Sequence, residues 1–361
     1  MGKPITISLC MIVKNEELTL ERCLNCAKDL VDEIIIVDTG STDKTKEIAQ
    51  KFTDKIYYFE WIQDFAAARN YSFSKATKEY IFYLDADDII LKEDQEKFKK
   101  LTSNLDRSID SVTMFYNMNL DKDGIPALSY RRNRLVKREK NFKWYGRVHN
   151  YLQVYGNIFD SDIAIVHDKV KPRDSDRNLN IYKKMIEDNY EFSPRDVFYY
   201  GNELYDHRLY EKAIEQYKKL LQMNSGWYED KITACGKLAD YYNYIKDPFN
   251  SRKYCYYSFN YDTPRAEFCC RLGRYFLNEN KIPNAIFWYE LATNLDRPKN
   301  SWGFFSDDCW TWLPHVQLCV CYYKQGNKEL SYKHNEIALS YSPNNKTLLN
   351  NKEFFKSIGF E

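Results

Sequence analysis

The chain has 361 residues, with 53 Lys and Arg set against 52 Asp and Glu, which leaves no global basic field for nucleic acid to bind. A charged fraction of 29% with 16% aromatics excludes disorder, and no apolar run reaches the roughly 18–20 residues of a membrane span. The length predicts about two or three domains, and 31 tyrosines are more than an average domain carries.

Met1 to Cys10 lacks the apolar stretch and cleavage site of a secretory leader, and most of the ten cysteines lie inside apolar or aromatic segments. Free thiols in a reducing cytoplasm are therefore expected. Cys23 and Cys26 have redox-like spacing, but no second pair completes a zinc site. A helical stretch from Leu18 to Leu30 simply puts both on one face.

In chain order, Ile5 to Val13 reads as a buried strand, and a helix follows from about Leu18. The apolar run Glu33 to Asp38 is of the parallel-sheet type. Gly40-Ser41-Thr42 supplies a turn and an N-cap for a helix through Phe52. Lys55 to Glu60 is a third strand, Ala66 to Thr77 another helix, and Glu79 to Asp85 a fourth strand. This alternation predicts a parallel αβ sheet with its ligand beyond the strands' carboxyl ends. From Ser111 to Val166 the pattern turns irregular, with strand-like pieces at Val112–Asn117, Val148–Val154 and Ile163–Val166.

After about Arg177 the chain reads as helical throughout. Gly201, Tyr210, Ala213 and Tyr217 recur as Gly273, Phe276, Ala285 and Tyr289, with weaker copies at Ala239, Tyr242, Ser251 and Tyr254 and from Tyr322 to Pro343. The spacing is close to the roughly 34-residue period of tetratricopeptide repeats. Ten tyrosines fall in residues 1–180 and 21 in 181–361, so the excess belongs chiefly to the helical half. Their expected work is interhelix packing, with others lining an acceptor groove.

The strongest chemical signal is Leu84-Asp85-Ala86-Asp87-Asp88 at the end of an apolar strand. Clustered carboxylates repel unless a cation offsets them, and oxygen ligands suit a hard divalent ion. Asp38 closes its own strand before Thr39-Gly-Ser-Thr-Asp43, where it can accept hydrogen bonds from a base or ribose. Arg69, next to Asn70, offers a guanidinium to phosphate. A run of eight cationic residues, Arg131, Arg132, Arg134, Lys137, Arg138, Lys140, Lys143 and Arg147, reads either as a solvated face or as a holder of the leaving group.

These residues resemble the family 2 glycosyltransferases of the GT-A fold over residues 5 to about 170. Met11-Ile-Val13-Lys-Asn15-Glu16-Glu17 is similar to the family's first strand and loop, Val37-Asp38-Thr-Gly40-Ser41-Thr-Asp43-Lys-Thr45 to its nucleotide-binding turn, and Leu84 to Asp88 to its metal motif. A subgroup fused to tetratricopeptide repeats also shows Asp64-Phe-x-x-x-Arg69-Asn70, Gly146-Arg-Val-His149, and Val166-His167. The resemblance implies an αβ GT-A domain over 1–175, followed by an all-α repeat domain over 176–361. It implies a UDP-sugar donor with Mn2+ or Mg2+. Asp38 would meet the base, Asp85 the ribose and Asp87 the metal, with His167 as a further metal ligand favouring Mn2+. Val13, Asn15, Glu16, Gly40, Ser41, Asp64, Arg69, Asn70 and Ala86 would complete the donor site.

One departure stands out. The subgroup follows its Val-His with Glu, and this chain has His149-Asn150. An amide cannot deprotonate an acceptor, so His149 or Asp168 would act as base, or the acceptor needs little help. The last option fits a thiol, which ionises near neutral pH; some relatives, the bacteriocin S-glycosyltransferases, modify peptide cysteines. The leading expectation is sugar transfer to a peptide or protein held partly by the repeats. Alternatives are a transferase building a surface polysaccharide or lipid-linked glycan, and a non-catalytic scaffold. Exposed aromatics in the repeats also make a homodimer an expectation.

Overall fold

The computed structural model describes residues 4–120, 126–168, 170, 176–298 and 305–360. Two compact units divide between Tyr190 and Glu191. The sequence-based boundary at 175/176 and this division bracket one helix, which groups with the first unit.

The first unit opens with β1 (Ile7–Val13), α1 (Leu20–Ala27), β2 (Glu33–Asp38), α2 (Thr45–Gln50), β3 (Ile56–Tyr58), α3 (Phe65–Ser74) and β4 (Tyr80–Tyr83). It continues through β5 (Asp88–Ile89), α4 (Lys92–Asn104), β6 (Ser111–Leu120), β7 (Pro126–Lys137), β8 (Lys143–Tyr145), β9 (Tyr151–Gln153), β10 (Ile158–His167) and α5 (Arg177–Glu187). Eight strands form one sheet in the order β3-β2-β1-β4-β7-β6-β10-β5, and β8 and β9 pair separately. The β3-β2-β1-β4 half is parallel, as the alternation predicted.

The other half differs from the expectation of short, irregular strands. Strand β7 enters antiparallel between β4 and β6, and β6 and β10 are ten residues each. The reason lies in composition. Strand β7, Pro-Ala-Leu-Ser-Tyr-Arg-Arg-Asn-Arg-Leu-Val-Lys, buries Arg134 beside Leu135 and Val136, so a charged residue occupies a position where an apolar one would have marked the strand.

The period of two in β1 sorts its side chains between two layers. Ile7, Leu9, Met11 and Val13 pack with Leu20 and Leu24 of α1 and Phe98 of α4 on one face. Cys10 packs with Ala66 and Phe73 of α3 and Trp144 of β8 on the other. Strands buried on both faces need helices on both, and their carboxyl ends then open onto a single edge.

The second unit contains α6 (Pro194–Asp206), α7 (Tyr210–Gln222), α8 (Tyr228–Tyr244), α9 (Pro248–Tyr257), α10 (Ala266–Asn278), α11 (Ile282–Asn294), α12 (Trp312–Lys324), α13 (Lys328–Tyr341) and α14 (Lys346–Ser357). Helices α6/α7, α8/α9, α10/α11 and α12/α13 pack as successive pairs. A Ser193–Asp196 capping box and Pro194 start α6, while Asp247, Asn327 and Asn345 side chains cap α9, α13 and α14. The repeat signature has a direct physical cause. A Cβ on Gly201 would sit 2.8 Å from the Tyr217 ring, and one on Gly273 would sit 2.7 Å from the Tyr289 ring. Each glycine makes room for a buried tyrosine sixteen residues on, in the next helix. Tyr217 and Tyr289 are core residues, so packing accounts for that part of the tyrosine excess.

Candidate active site

The register pairs Val13 with Asp38, so the first two strands end level and their loops meet. Asp38 is 1% exposed and turns back on its own loop. Its carboxylate accepts from the Gly40 amide at 3.2 Å and the Ser41 amide at 3.1 Å, with Lys46 Nζ at 3.3 Å. Gly40 has φ +101°, a conformation that favours glycine, and nothing lies within 4 Å of where a Cβ would be. Asn15, itself left-handed at φ 57°, donates its amide to Ser41 Oγ at 3.0 Å and accepts from the Thr42 amide at 2.8 Å. The Glu16 amide donates to Thr45 Oγ1 at 2.6 Å. Val13, Asn15, Glu16, Asp38, Gly40 and Ser41 are thus brought together in one stitched loop pair. Here the structure corrects one expectation. Ser41 and Thr42 do not cap the next helix; α2 starts at Thr45, where Asp43 accepts from the Thr45 amide at 3.0 Å.

Beyond β4 comes the acidic loop. Arg69 Nη2 donates to Asp85 Oδ1 at 2.6 Å, and Arg132 lies 3.8 Å from the other carboxylate oxygen. The Arg69 guanidinium carbon is 4.7 Å from the Trp144 ring centroid and 5.7 Å from that of Tyr83. Burial alone would raise the Asp85 carboxyl, but Arg69, Arg134 and Arg132 together hold it well below the usual range. Arg69 was expected to meet phosphate; as it stands, its partner is Asp85.

Asp88, absent from the sequence-based site, is fully buried. It accepts from the Asp85 amide at 2.9 Å and from Tyr116 Oη at 2.8 Å, and pairs with Arg134 Nη2 at 3.1 Å. Arg134 is also fully buried, and its guanidinium lies 4.5 Å from the Tyr116 ring and 4.9 Å from that of Tyr83. A buried charge of this kind persists only when paired, and Arg134 has its Asp88 ion pair together with an Nη1 hydrogen bond to the Tyr83 carbonyl at 3.1 Å. The cationic run is therefore not one patch. Strand alternation sends Arg132 and Arg134 toward the acidic loop, while Arg131 bonds Thr113 and the Ser161 carbonyl, and Lys140 pairs with Asp110.

Asp87 and Asp88 both approach a histidine. Antiparallel pairing of β5 with β10 sets His167 opposite Asp88, and His167 Nδ1 lies 3.4 Å from Asp87 Oδ1. Hydrogen bonds donated to the Asp87 and Asp88 carboxylates push the imidazole up to about 9 against the cost of its burial. Ligand atoms of Asp87, Asp88 and His167 all fall within 4.8 Å of one another. Two carboxylates and an imidazole this close fit a divalent cation that takes oxygen and nitrogen ligands.

Other predicted residues lie close by, several of them in local hydrogen bonds. Asp64 caps α3, accepting from the Ala67 amide at 2.9 Å. The Asn70 side chain accepts from the Trp144 amide at 2.9 Å and donates to the Trp144 carbonyl at 3.0 Å, pinning strand β8. Ala86 is buried within the acidic loop. Asp168 follows β10, its amide donating to the Asp87 carbonyl at 3.0 Å and its carboxylate paired with Arg22. His149, at φ 47°, and Asn150 lie between β8 and β9, on a loop tied to α3 by the Phe65 amide donating to the Arg147 carbonyl at 3.0 Å. Asp88, Tyr116 and Arg22 complete the cluster without having been singled out as site residues, while Arg132 and Arg134 were read only as part of the cationic run. Asp88 was visible in the motif; nothing local marks Tyr116.

The parallel half of a mixed sheet, with a stitched turn after β2 and an acidic loop after β4, defines an αβ domain of the GT-A type. Residues 8–160 match glycosyl transferase family 2. That match covers most of the first unit, which is similar to a family 2 glycosyltransferase domain, and helices packed in tetratricopeptide-like pairs follow it. The chain is 30% identical over 259 residues to the SPbeta prophage-derived glycosyltransferase SunS of Bacillus subtilis, covering 66% of this chain and 60% of that protein. It therefore spans about 60% of the length of that curated relative. A TPR repeat-containing protein of Synechococcus elongatus is 45% identical over 101 residues, 28% of this chain and 24% of its own. Among solved structures, glucosyl-3-phosphoglycerate synthase from Mycobacterium tuberculosis, in complex with Mn2+ and UDP-glucose, aligns with TM-score 0.36 and 16% identity over 53% of this chain and 81% of its own. The TPR protein YrrB aligns with TM-score 0.37 and 17% identity over 50% of this chain and 84% of its own. No helix among the described residues is long and apolar enough to cross a membrane.

Proposed function

We propose that the chain transfers a sugar from a UDP-sugar to an acceptor, a peptide or protein side chain, with Mn2+ or Mg2+ bound by Asp87 and His167. The observation that carries this reading is the 3.4 Å approach of His167 to Asp87, beside an Asp85 already neutralised by arginine. Asp85 and Asp88 are matched by Arg69, Arg132 and Arg134, which leaves Asp87 and His167 as the pair with capacity for a cation.

When bound, the cation supplies charge neutralisation on the departing diphosphate. Asp38 and the Gly40–Ser41 turn receive the nucleoside, and Asp85, held ionised by Arg69, faces the ribose. The bond from the sugar's anomeric carbon to the diphosphate oxygen breaks as a bond to the acceptor forms. UDP leaves, and the acceptor's proton passes to a base or to solvent. Asp168 is ill suited as that base because Arg22 already occupies its carboxylate. His149 is the remaining side-chain candidate, and an acceptor thiol would ask least of it. The repeat unit, rich in exposed aromatics such as Tyr244, Phe249 and Phe287, supports a peptide acceptor over a glycan.

Thermal shift with UDP and Mn2+ tests the site. Stabilisation of the wild type but not of Asp87→Ala is expected; equal shifts, or none, would refute the assignment. His149→Ala with full activity would make His149 structural. A sharp gain from Asn150→Glu would show that turnover lacks a carboxylate base.

A further inference from the structure

Three arginines stand around the acidic loop, and two of its carboxylates hold one each. Arg69 pairs with Asp85 at 2.6 Å, its side chain 13% exposed, and Arg134 pairs with Asp88 at 3.1 Å, its side chain sealed from solvent. Arg132 is different. Its Nη1 stays 3.8 Å from Asp85 Oδ2, too far for a hydrogen bond, and its side chain is 35% exposed. Three guanidiniums against two paired carboxylates leave one positive charge in excess, and Arg132 carries it. Its contacts nevertheless hold it in place. The guanidinium carbon lies 4.3 Å from the Tyr116 ring centroid and 5.3 Å from that of Tyr130, and Nη2 donates to Tyr130 Oη at 2.9 Å. The Tyr116 hydroxyl in turn meets Asp88 Oδ1 at 2.8 Å and His167 Nδ1 at 2.9 Å, so Arg132 rests on a ring that also touches the cation site. Other members of the cationic run are engaged elsewhere, Arg131 on the Ser161 carbonyl, Arg138 on the Lys78 carbonyl and Lys140 on Asp110.

Strand order supplies the direction. Leu135 of β7 pairs with Phe82 of β4, so antiparallel β7 brings Arg132, three residues back, level with Asp85. The sheet puts β7 next to β4 and three strands from β2, roughly 14 Å at the usual strand spacing. A donor with its nucleoside at Asp38 and its ribose at Asp85 therefore runs toward Arg132 with its phosphates. We propose that Arg132 is a catalytic residue: it binds the donor phosphate that carries the sugar and stabilises it as the leaving group. This rests on the reading of the site as one for a UDP-sugar. As the bond from the anomeric carbon to the phosphate oxygen breaks, its electron pair stays on that oxygen. The acceptor's bond forms at the carbon, and its proton passes to a base or to solvent. Arg132 meets the charge left on the phosphate with a planar pair of N–H donors, fixed in advance by the two tyrosine rings.

The test titrates the full chain with UMP and with UDP, with and without Mn2+, comparing wild type, Arg132→Gln, Arg132→Lys and Asp87→Ala. Arg132→Gln is expected to weaken UDP binding by about 10–100-fold and to leave UMP binding unchanged, because only UDP has the second phosphate. It is expected to keep the Mn2+ dependence of UDP binding that Asp87→Ala loses. With the donor that wild type turns over, kcat for UDP release is expected to fall about 100-fold in Arg132→Gln. Arg132→Lys restores the charge without the planar fork, and its expected recovery is partial. A loss that UMP shares in full would mean that Arg132 acts only through Asp85 and would overturn the proposal. Unchanged UDP binding and kcat in Arg132→Gln would overturn it as well. Failure of the wild type to bind either nucleotide would defeat the donor reading itself, and the proposal with it. An unfolding midpoint for each variant separates these results from misfolding.

Discussion

Arg69 and Asp85 form a 2.6 Å ion pair, with the guanidinium stacked near Trp144 and Tyr83. The pair connects α3 to the acidic loop and carries the β8 strand along with it. Removing one partner of such a half-buried pair leaves the other charge uncompensated. Arg69→Leu is therefore expected to raise the UDP dissociation constant at least about tenfold and to lower stability by roughly 2–3 kcal/mol. Calorimetric UDP titration and urea unfolding read the two effects. Arg69→Lys restores the charge but not the planar stacking, and its expected rescue is partial.

The contact between Asn70 and Trp144 neighbours that ion pair. Both polar atoms of one amide meet both backbone groups of one residue. Asn70→Asp keeps the size but loses the donor to the Trp144 carbonyl, and Asn70→Ala loses both bonds. We expect destabilisation of about 1–3 kcal/mol in either case, with Asn70→Ala the larger, measured by urea unfolding of the full chain. If instead Asn70→Ala unfolds like wild type but loses UDP binding, the residue touches nucleotide after all.

These two contacts show what the chain sequence discloses and what it conceals. Asp85 and Asp87 were legible because carboxylates at the end of an apolar strand are costly without a partner. The Gly201–Tyr217 and Gly273–Tyr289 pairs were legible because the same small-to-aromatic spacing occurs twice. Asn70 meeting Trp144, 74 residues away, leaves no local trace, nor does Tyr116 meeting His167 across 51 residues. Strand β7 was hidden for a different reason. Its arginines imitate a solvated face although Arg134 is buried, and only the sheet order puts Arg134 against Asp88.

The glycine of the repeat carries a simple consequence. With the Tyr289 ring carbons 2.7–2.8 Å from a built Cβ, Gly273→Ala forces a core tyrosine to move. The expected cost is about 1–3 kcal/mol, despite alanine's better helix propensity. A double variant, Gly273→Ala with Tyr289→Leu, is expected to recover part of it in thermal unfolding. A stabilised Gly273→Ala would contradict the packing account.

Acid sensitivity of the second unit follows from two histidines. His315 and His334 face each other with Nδ1 atoms 3.0 Å apart, Tyr341 stacked on the first and Tyr322 on the second. Burial, then His334, lowers His315 to about 4 from an ordinary 6.5. The folded state thus binds protons less readily than the unfolded one. Stability from the neutral ring is complete above about pH 6.5 and is lost as pH falls toward 4. Thermal melts followed at pH 7.5 and 4.5 are expected to show a smaller drop in His315→Phe than in wild type. Equal drops would mean that other groups set the acid response.

UDP release measures most directly whether Asp87 helps to hold the donor. Wild type and Asp87→Ala are incubated with Mn2+ and a panel of UDP-sugars, with and without chelator. We predict release from at least one donor, abolished by chelation and reduced about a hundredfold or more in Asp87→Ala. No release from any donor, or release that ignores both the chelator and the substitution, would contradict a metal-dependent transferase.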